Sequence, residues 1–162
     1  MATRTVPDNL TGFLPRSDRR ASAEELTDGR WLVAGKYAVI LVGEGGVEDS
    51  GMWYEVQNSR WDSGTRDLTV AWVDPGRPPL VVRTRSTDPG TFMADVSVKV
   101  NHSLVVQKAA RTDAGTTVVA AVRRRDDGQL FSTLVADGPL DEGGRQLADA
   151  LEREVRDGVG LD

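Results

Sequence analysis

The sequence predicts an antiparallel, strand-rich α+β fold: about eight strands, one helix between them over residues 89–102, and an amphipathic C-terminal helix over residues 141–157. Three observations carry that class. Short apolar runs are cut at close intervals by Gly, Asp-Gly and Asp-Pro-Gly, the chemistry of tight turns. Runs of strand type occupy the stretch from Trp31 to Thr84 and return from Leu104 to Val135. Near the C-terminus the apolar spacing lengthens to four, placing Leu147, Leu151 and Val155 on one helical face.

Residues 1–27 show no sustained period and read as a loosely ordered N-terminal segment, anchored at most by Phe13 and Leu14. Ser22 and Glu25 stand three apart and suit a capped helical turn through Ala23 to Leu26. Residues 28–162 then read as a single domain. Trp31 to Val42 is two apolar runs split by Gly35-Lys36, the pattern of a hairpin with Gly first in a type II′ turn. The second run, Tyr37 to Val42, is apolar on both faces, so it belongs in the centre of a sheet or under a covered outer face. Gly43 to Gly51 reads as a loop.

Met52 to Gln57 alternates as a strand, with Trp53, Glu55 and Gln57 on one side. Asp67 to Val73 points Leu68, Val70 and Trp72 inward, and Asp74-Pro75-Gly76 turns the chain into a fifth strand, Pro79 to Thr84. Over residues 89–102, Phe92, Val96 and Val100 favour a helix capped from Ser86, Thr87 or Asp88 with Pro89 in its first turn; Val96, Val98 and Val100 also alternate, so a strand is the competing assignment. A three-strand meander follows, Leu104 to Ala110, Thr116 to Arg124 and Leu130 to Val135, turned at Asp113-Ala114-Gly115 and Asp126-Asp127-Gly128. Asp141 and Glu142 suit the N-terminus of the last helix and Gly158 its stop, with Asp149–Arg153 and Glu152–Arg156 as outward i,i+4 pairs.

Composition excludes several function classes. The absence of cysteine removes disulfides, thiolate metal sites and thiol nucleophiles. The formal charge of −5 is carried by residues 137–162, which hold eight acids and three arginines, while acids and bases balance at 17 each over residues 1–136. Without a broad basic face, nucleic acid is a poor partner. No apolar run approaches the ~18 residues of a membrane span, and Met1 to Arg20 has no signal-type apolar core, so the expected location is cytoplasmic and no membrane partner is expected.

The spacing of Asp28 through Ala34, Trp53 through Val56, Trp61-Asp62, Phe92 through Val96, Val100, and Ser103 through Val106 resembles a group of small uncharacterised PH-like (pleckstrin-homology-like) proteins of high-GC Gram-positive bacteria, from about residue 28 to the end. The resemblance implies a bent antiparallel sheet or partly open barrel with a helix across one end. It implies no activity. The chain departs from the simple PH plan of seven strands and one helix by an extra strand and the helix over 89–102. Lipid-binding PH domains gather basic residues between their first two strands; here that connection is Gly35-Lys36, so phosphoinositide binding by that route is not expected.

No catalytic residue, metal-ligand set or cofactor motif is assigned. His102 is the single histidine and reads as a helix-end or surface residue, with a general base as the minority reading. Gly43-Glu44-Gly45-Gly46 lacks the spacing of a phosphate loop. The candidate binding residues are Trp53, as an interface anchor or else ordinary core, and Arg123 and Arg125, sharing a strand face in the one basic run, with Arg83 and Arg85 as a possible extension. The expected function is a non-enzymatic interaction module with a protein partner, a second copy of the chain included. The alternatives are a small-molecule or lipid-chain carrier with a pocket lined by Val39, Leu41, Val70 and Trp72, and an enzyme centred on His102.

Overall fold

Ten strands and three α-helices make up the computed structural model of the chain, which describes residues 4–161 and is of the antiparallel α+β class expected. Met1, Ala2 and Thr3 of the expected N-terminal segment lie outside the described residues, as does Asp162. Contacts divide the chain into two compact units, Met1–Asn101 and His102–Asp162, where the sequence suggested one domain over 28–162. The apolar clusters explain the division: two draw on residues up to Val100 and the third on residues from Val105 onward.

In the first unit, strands β1 (Ala23–Glu25), β2 (Trp31–Ala34), β3 (Ala38–Gly43) and β4 (Gly46–Met52) form one antiparallel sheet in that order. Strands β5 (Val56–Trp61), β6 (Asp67–Trp72) and β7 (Leu80–Arg83) form a second. The side-chain period of two splits β3 cleanly, because Val39 and Leu41 enter one cluster and Ile40 and Val42 the other. The first cluster lies between the sheets and joins Leu32, Val56, Leu68, Val70, Trp72 and Val82 to Phe92, Val96 and Val100 of helix α2 (Gly90–Ser103). Residues 89–102 are therefore helical, with the Gly90 N–H donating to Asp88 Oδ1.

The second cluster covers the outer face of β2 and β3, and its cover is the N-terminal segment. Val6, Leu10 and Leu14 are buried there, held by the one-turn helix α1 (Asp8–Thr11) and by the Ala23 N–H donating to the Arg4 carbonyl at 2.8 Å. The loose segment expected over 1–27 is, for residues 4–27, a packed layer. Val6, Leu10 and Leu14 stand four apart, but Pro7, Gly12 and Pro15 interrupt any helix that spacing would announce, and Phe13 is exposed while Leu14 is buried.

Other local expectations shift for physical reasons. Ala23 to Glu25 pairs with β2 as a strand instead of forming a helical turn. Gly46 to Met52 is strand β4, not a loop; its Glu48, Asp49 and two glycines hide an edge strand held by backbone pairing to β3, with a bulge opposite Leu41–Val42. Trp53 to Glu55 forms a single 3-10 turn, so the strand expected from Met52 begins at Val56. The β2–β3 turn closes through Lys36-Tyr37, with the Gly35 N–H donating to the Ala38 carbonyl at 2.9 Å. Gly35 keeps φ outside the left-handed region. It is glycine because a Cβ there would lie 2.6 Å from Asp18 Oδ2 and 2.8 Å from the Ala38 carbonyl.

The second unit is the expected meander, with β8 (Leu104–Arg111), β9 (Thr117–Arg124) and β10 (Leu130–Ala136) in the order β10-β9-β8, turned at Gly115 and Gly128 with φ of +91° and +86°. Helix α3 (Glu142–Gly158) packs Ala148, Leu151 and Val155 onto Val118, Ala120 and Val122, while Leu147 is half-buried. Asp141 caps it, accepting from the Gly144 N–H at 2.7 Å. The left-handed stop falls at Gly160, two residues past the expected Gly158. Glu152 and Arg156 meet through Ser132 of β10, whose hydroxyl donates to Glu152 Oε2 at 2.9 Å and accepts from Arg156 at 2.8 Å; Asp149 and Arg153 form no ion pair. No helix among the described residues is long and apolar enough to cross a membrane.

Candidate functional site

The residues singled out from sequence fall in both units and have unlike surroundings. Trp53 is 5% exposed and sits in the core of the first unit, its indole N–H donating to the Gly35 carbonyl at 2.8 Å. The 3-10 turn causes this: it rotates Trp53 off the face it would share with Glu55 in a strand, so Trp53 is no surface anchor. Arg123 and Arg125 part company as well. Arg123, within β9, is fully buried, with one guanidinium nitrogen 3.4 Å from Ser103 Oγ, and burial lowers its pKa from the ordinary arginine value.

Arg125 lies beyond the end of β9, exposed at the β9–β10 turn, with its guanidinium 4.7 Å from the centroid of Phe131. Arg83 and Arg85 face Asp67 at 3.2 Å and Glu25 at 3.8 Å. His102 is exposed in the last turn of α2. Val39, Leu41, Val70 and Trp72, the candidate pocket lining, are buried together in the core cluster with Leu32 and Phe92.

Two other features stand out, neither legible as a motif. The first is the outer edge of β10. Each three- or four-stranded sheet has two edge strands, and five of the six carry charge: Glu24 and Glu25 in β1, Glu48 and Asp49 in β4, Arg60 in β5, Arg83 in β7, Lys108 and Arg111 in β8. Charged edges resist pairing with another chain. Strand β10, Leu130-Phe131-Ser132-Thr133-Leu134-Val135-Ala136, carries none.

The hydrogen-bond phase of β10 follows from its ends. The Arg125 N–H donates to the Gln129 carbonyl at 2.8 Å and the Asp137 N–H to the Thr117 carbonyl at 3.1 Å. Phe131, Thr133 and Val135 therefore bond across to Arg123, Ala121 and Val119. The backbone groups of Leu130, Ser132, Leu134 and Ala136 point the other way, to an edge on which no strand among the described residues pairs.

The second feature is a recess of about 340 Å3 in the first unit, lined by Arg4, Glu24, Glu25, Arg85, Ser86 and Thr87. Glu24 is 2% exposed; its Oε2 accepts from Arg4 at 2.7 Å, and its Oε1 is buried with no hydrogen-bond partner. Burial pushes its pKa up, Arg4 opposes that, and Asp88 adds to it. The walls are fixed by backbone bonds, from Arg85 N–H to the Glu25 carbonyl at 2.9 Å and from Thr27 N–H to the Arg83 carbonyl at 3.0 Å, and by the bridge between Leu26 and Thr84. Sequence reasoning missed it because the recess joins three distant segments. The single local signal was the paired Glu24-Glu25 in a stretch without a sustained period.

A polar depression of about 670 Å3 on the β5–β6 hairpin, around Arg60, Asp62, Thr65 and Asp67, is shaped by the turn itself, since Asp62 Oδ1 accepts from the Gly64 and Thr65 N–H groups at 2.7 and 3.2 Å. No protein-family model, curated protein or solved structure matches the chain.

Proposed function

We propose that the chain is a non-enzymatic protein-interaction module that pairs with a second copy of itself through the outer edge of β10. The observation that carries this reading is the composition of that edge: among the six edge strands of the described residues it alone has no charged side chain. A two-fold axis through Thr133 sets Ser132 opposite Leu134 of the other copy and Leu130 opposite Ala136. All four are the residues whose backbone groups point outward, so both strands are in phase for an antiparallel ladder without a register slip. No like charges are opposed anywhere along it. Ser132 is held in place from α3, which keeps this stretch of edge extended.

The PH-like kinship belongs to the same proposal, supported by the two antiparallel sheets and the helix packed against them in the first unit. The cytoplasmic location rests on the sequence reading alone.

Light scattering on the eluting full chain tests the pairing. The mass expected is about twice the 17.5 kDa of one chain. Ala136→Pro removes one outward donor per copy, a defect at two symmetric places in the ladder, and leaves the bonds to β9 in place. It should elute as a monomer with an unchanged far-ultraviolet spectrum. A wild-type mass of one chain at ~1 mM, where even a weak millimolar dimer would register, overturns the proposal.

A further inference from the structure

We propose that the recess between β1 and the β7–α2 connection binds a small zwitterion of the amino-acid class, its ammonium on Glu24 Oε1 and its carboxylate at the rim on Arg85, Ser86 and Thr87. The site is independent of the β10 edge and lies wholly within the first unit.

The floor of the recess makes the first half of the case. A carboxylate oxygen buried without a donor costs the fold the full desolvation of that atom. Glu24 Oε1 is in that state, although its sister oxygen is bonded to Arg4. Any donor relieves it, and a donor that also carries positive charge binds a carboxylate most strongly. The charges lining the recess balance, Glu24 and Glu25 against Arg4 and Arg85, which suits a ligand of no net charge. An ammonium group supplies three donors in a small volume.

The rim makes the second half. Arg85 is 63% exposed in its side chain and meets Glu25 through Nε at 3.8 Å. Its two terminal nitrogens form the planar fork that suits a carboxylate. Ser86 and Thr87 follow it in sequence and line the same recess, each with a hydroxyl. Ser86 Oγ already accepts from the Asp88 N–H at 2.9 Å, which fixes the rotamer and leaves its proton to donate. The volume of about 340 Å3 stands at the small end of ligand sites, enough for an amino acid.

Arg4 controls access. Its side chain is 41% exposed and covers Glu24, while its main chain is pinned by the Ala23 N–H at 2.8 Å. The guanidinium can therefore swing out, giving up its bond to Oε2, and admit the ligand's ammonium in its place without unpicking the layer behind it.

The test is a two-dimensional amide NMR titration of the full chain with L-alanine, with ethylammonium and acetate as single-charge controls. L-alanine should produce saturable shifts at Glu25, Arg85, Ser86 and Thr87 with half-saturation at or below ~10 mM. Each control should bind at least about tenfold more weakly, the factor that ~1.4 kcal/mol of lost interaction gives. Glu24→Gln should abolish saturation while the spectrum stays dispersed, and Arg85→Met should weaken it about tenfold. Absence of saturable shifts, equal binding of a control, or undiminished binding by Glu24→Gln each overturns the proposal.

Discussion

Truncating Leu10 to alanine should destabilise the first unit by about 2–3 kcal/mol. Leu10 is 3% exposed and packs with Val6 and Leu14 against Val33, Ile40 and Val42. The substitution deletes three carbon atoms, about 0.8 kcal/mol each on transfer from water, or ~2.4 kcal/mol before any cavity term. Leucine-to-alanine changes in rigid cores reach ~5 kcal/mol because the void persists. Here the segment lies over one sheet face and can settle toward it, which keeps the cavity small and the cost near the transfer value.

Urea unfolding followed by tryptophan fluorescence is the assay, and it isolates the right unit. All four tryptophans, Trp31, Trp53, Trp61 and Trp72, belong to the stretch Met1–Asn101. The midpoint should fall with an unchanged slope. A loss under ~0.5 kcal/mol, the level of a surface substitution, would mean that residues 4–14 do not cover β2 and β3 in solution, and the reasoning about the packed layer would fail.

Gly51→Ala should cost about 1–3 kcal/mol by the same measurement, because an added Cβ would stand 2.3 Å from the six-membered ring of Trp72 and one of the two must move. A neutral result would show that Trp72 has room to yield. Glu24→Gln should change the pH dependence of stability. The folded pKa of Glu24 is raised, so the wild type is favoured below the ordinary carboxylate range and loses that advantage as pH climbs through the folded pKa. The melting temperature of the variant relative to wild type should therefore rise between pH 4 and pH 7; a flat or falling difference would contradict a desolvated carboxylate.

How far the chain could be read from sequence depends on where each signal resides. β6 announced its inward Leu68, Val70 and Trp72, and α3 its Leu151 and Val155, because both elements bury one face and solvate the other. α2 showed Phe92, Val96 and Val100 despite its competing valine alternation. β4 was invisible, since its acids and glycines give it no apolar alternation, and it is held by backbone pairing to β3 and by ion pairs from Arg30 and Arg77. Trp53 read as interface anchor or ordinary core, and one 3-10 turn, which changes which way a side chain points, makes it core. Arg123 and Arg125, two apart, suggested one face, but the strand ends between them.

The sequence by itself determined the class, the three-strand meander with its glycine turns, the C-terminal helix and the doubly apolar character of β3, while it left α2 open between helix and strand. These rest on periodicity and turn chemistry, which act over a few residues. Only the tertiary structure decided what covers the outer face of β3, that Glu24 is buried with an oxygen unpartnered, and that β10 is an edge. Those facts depend on which distant segments meet. Burial of a charge and exposure of a strand edge are properties of neighbours, and a chain does not carry its neighbours in local order.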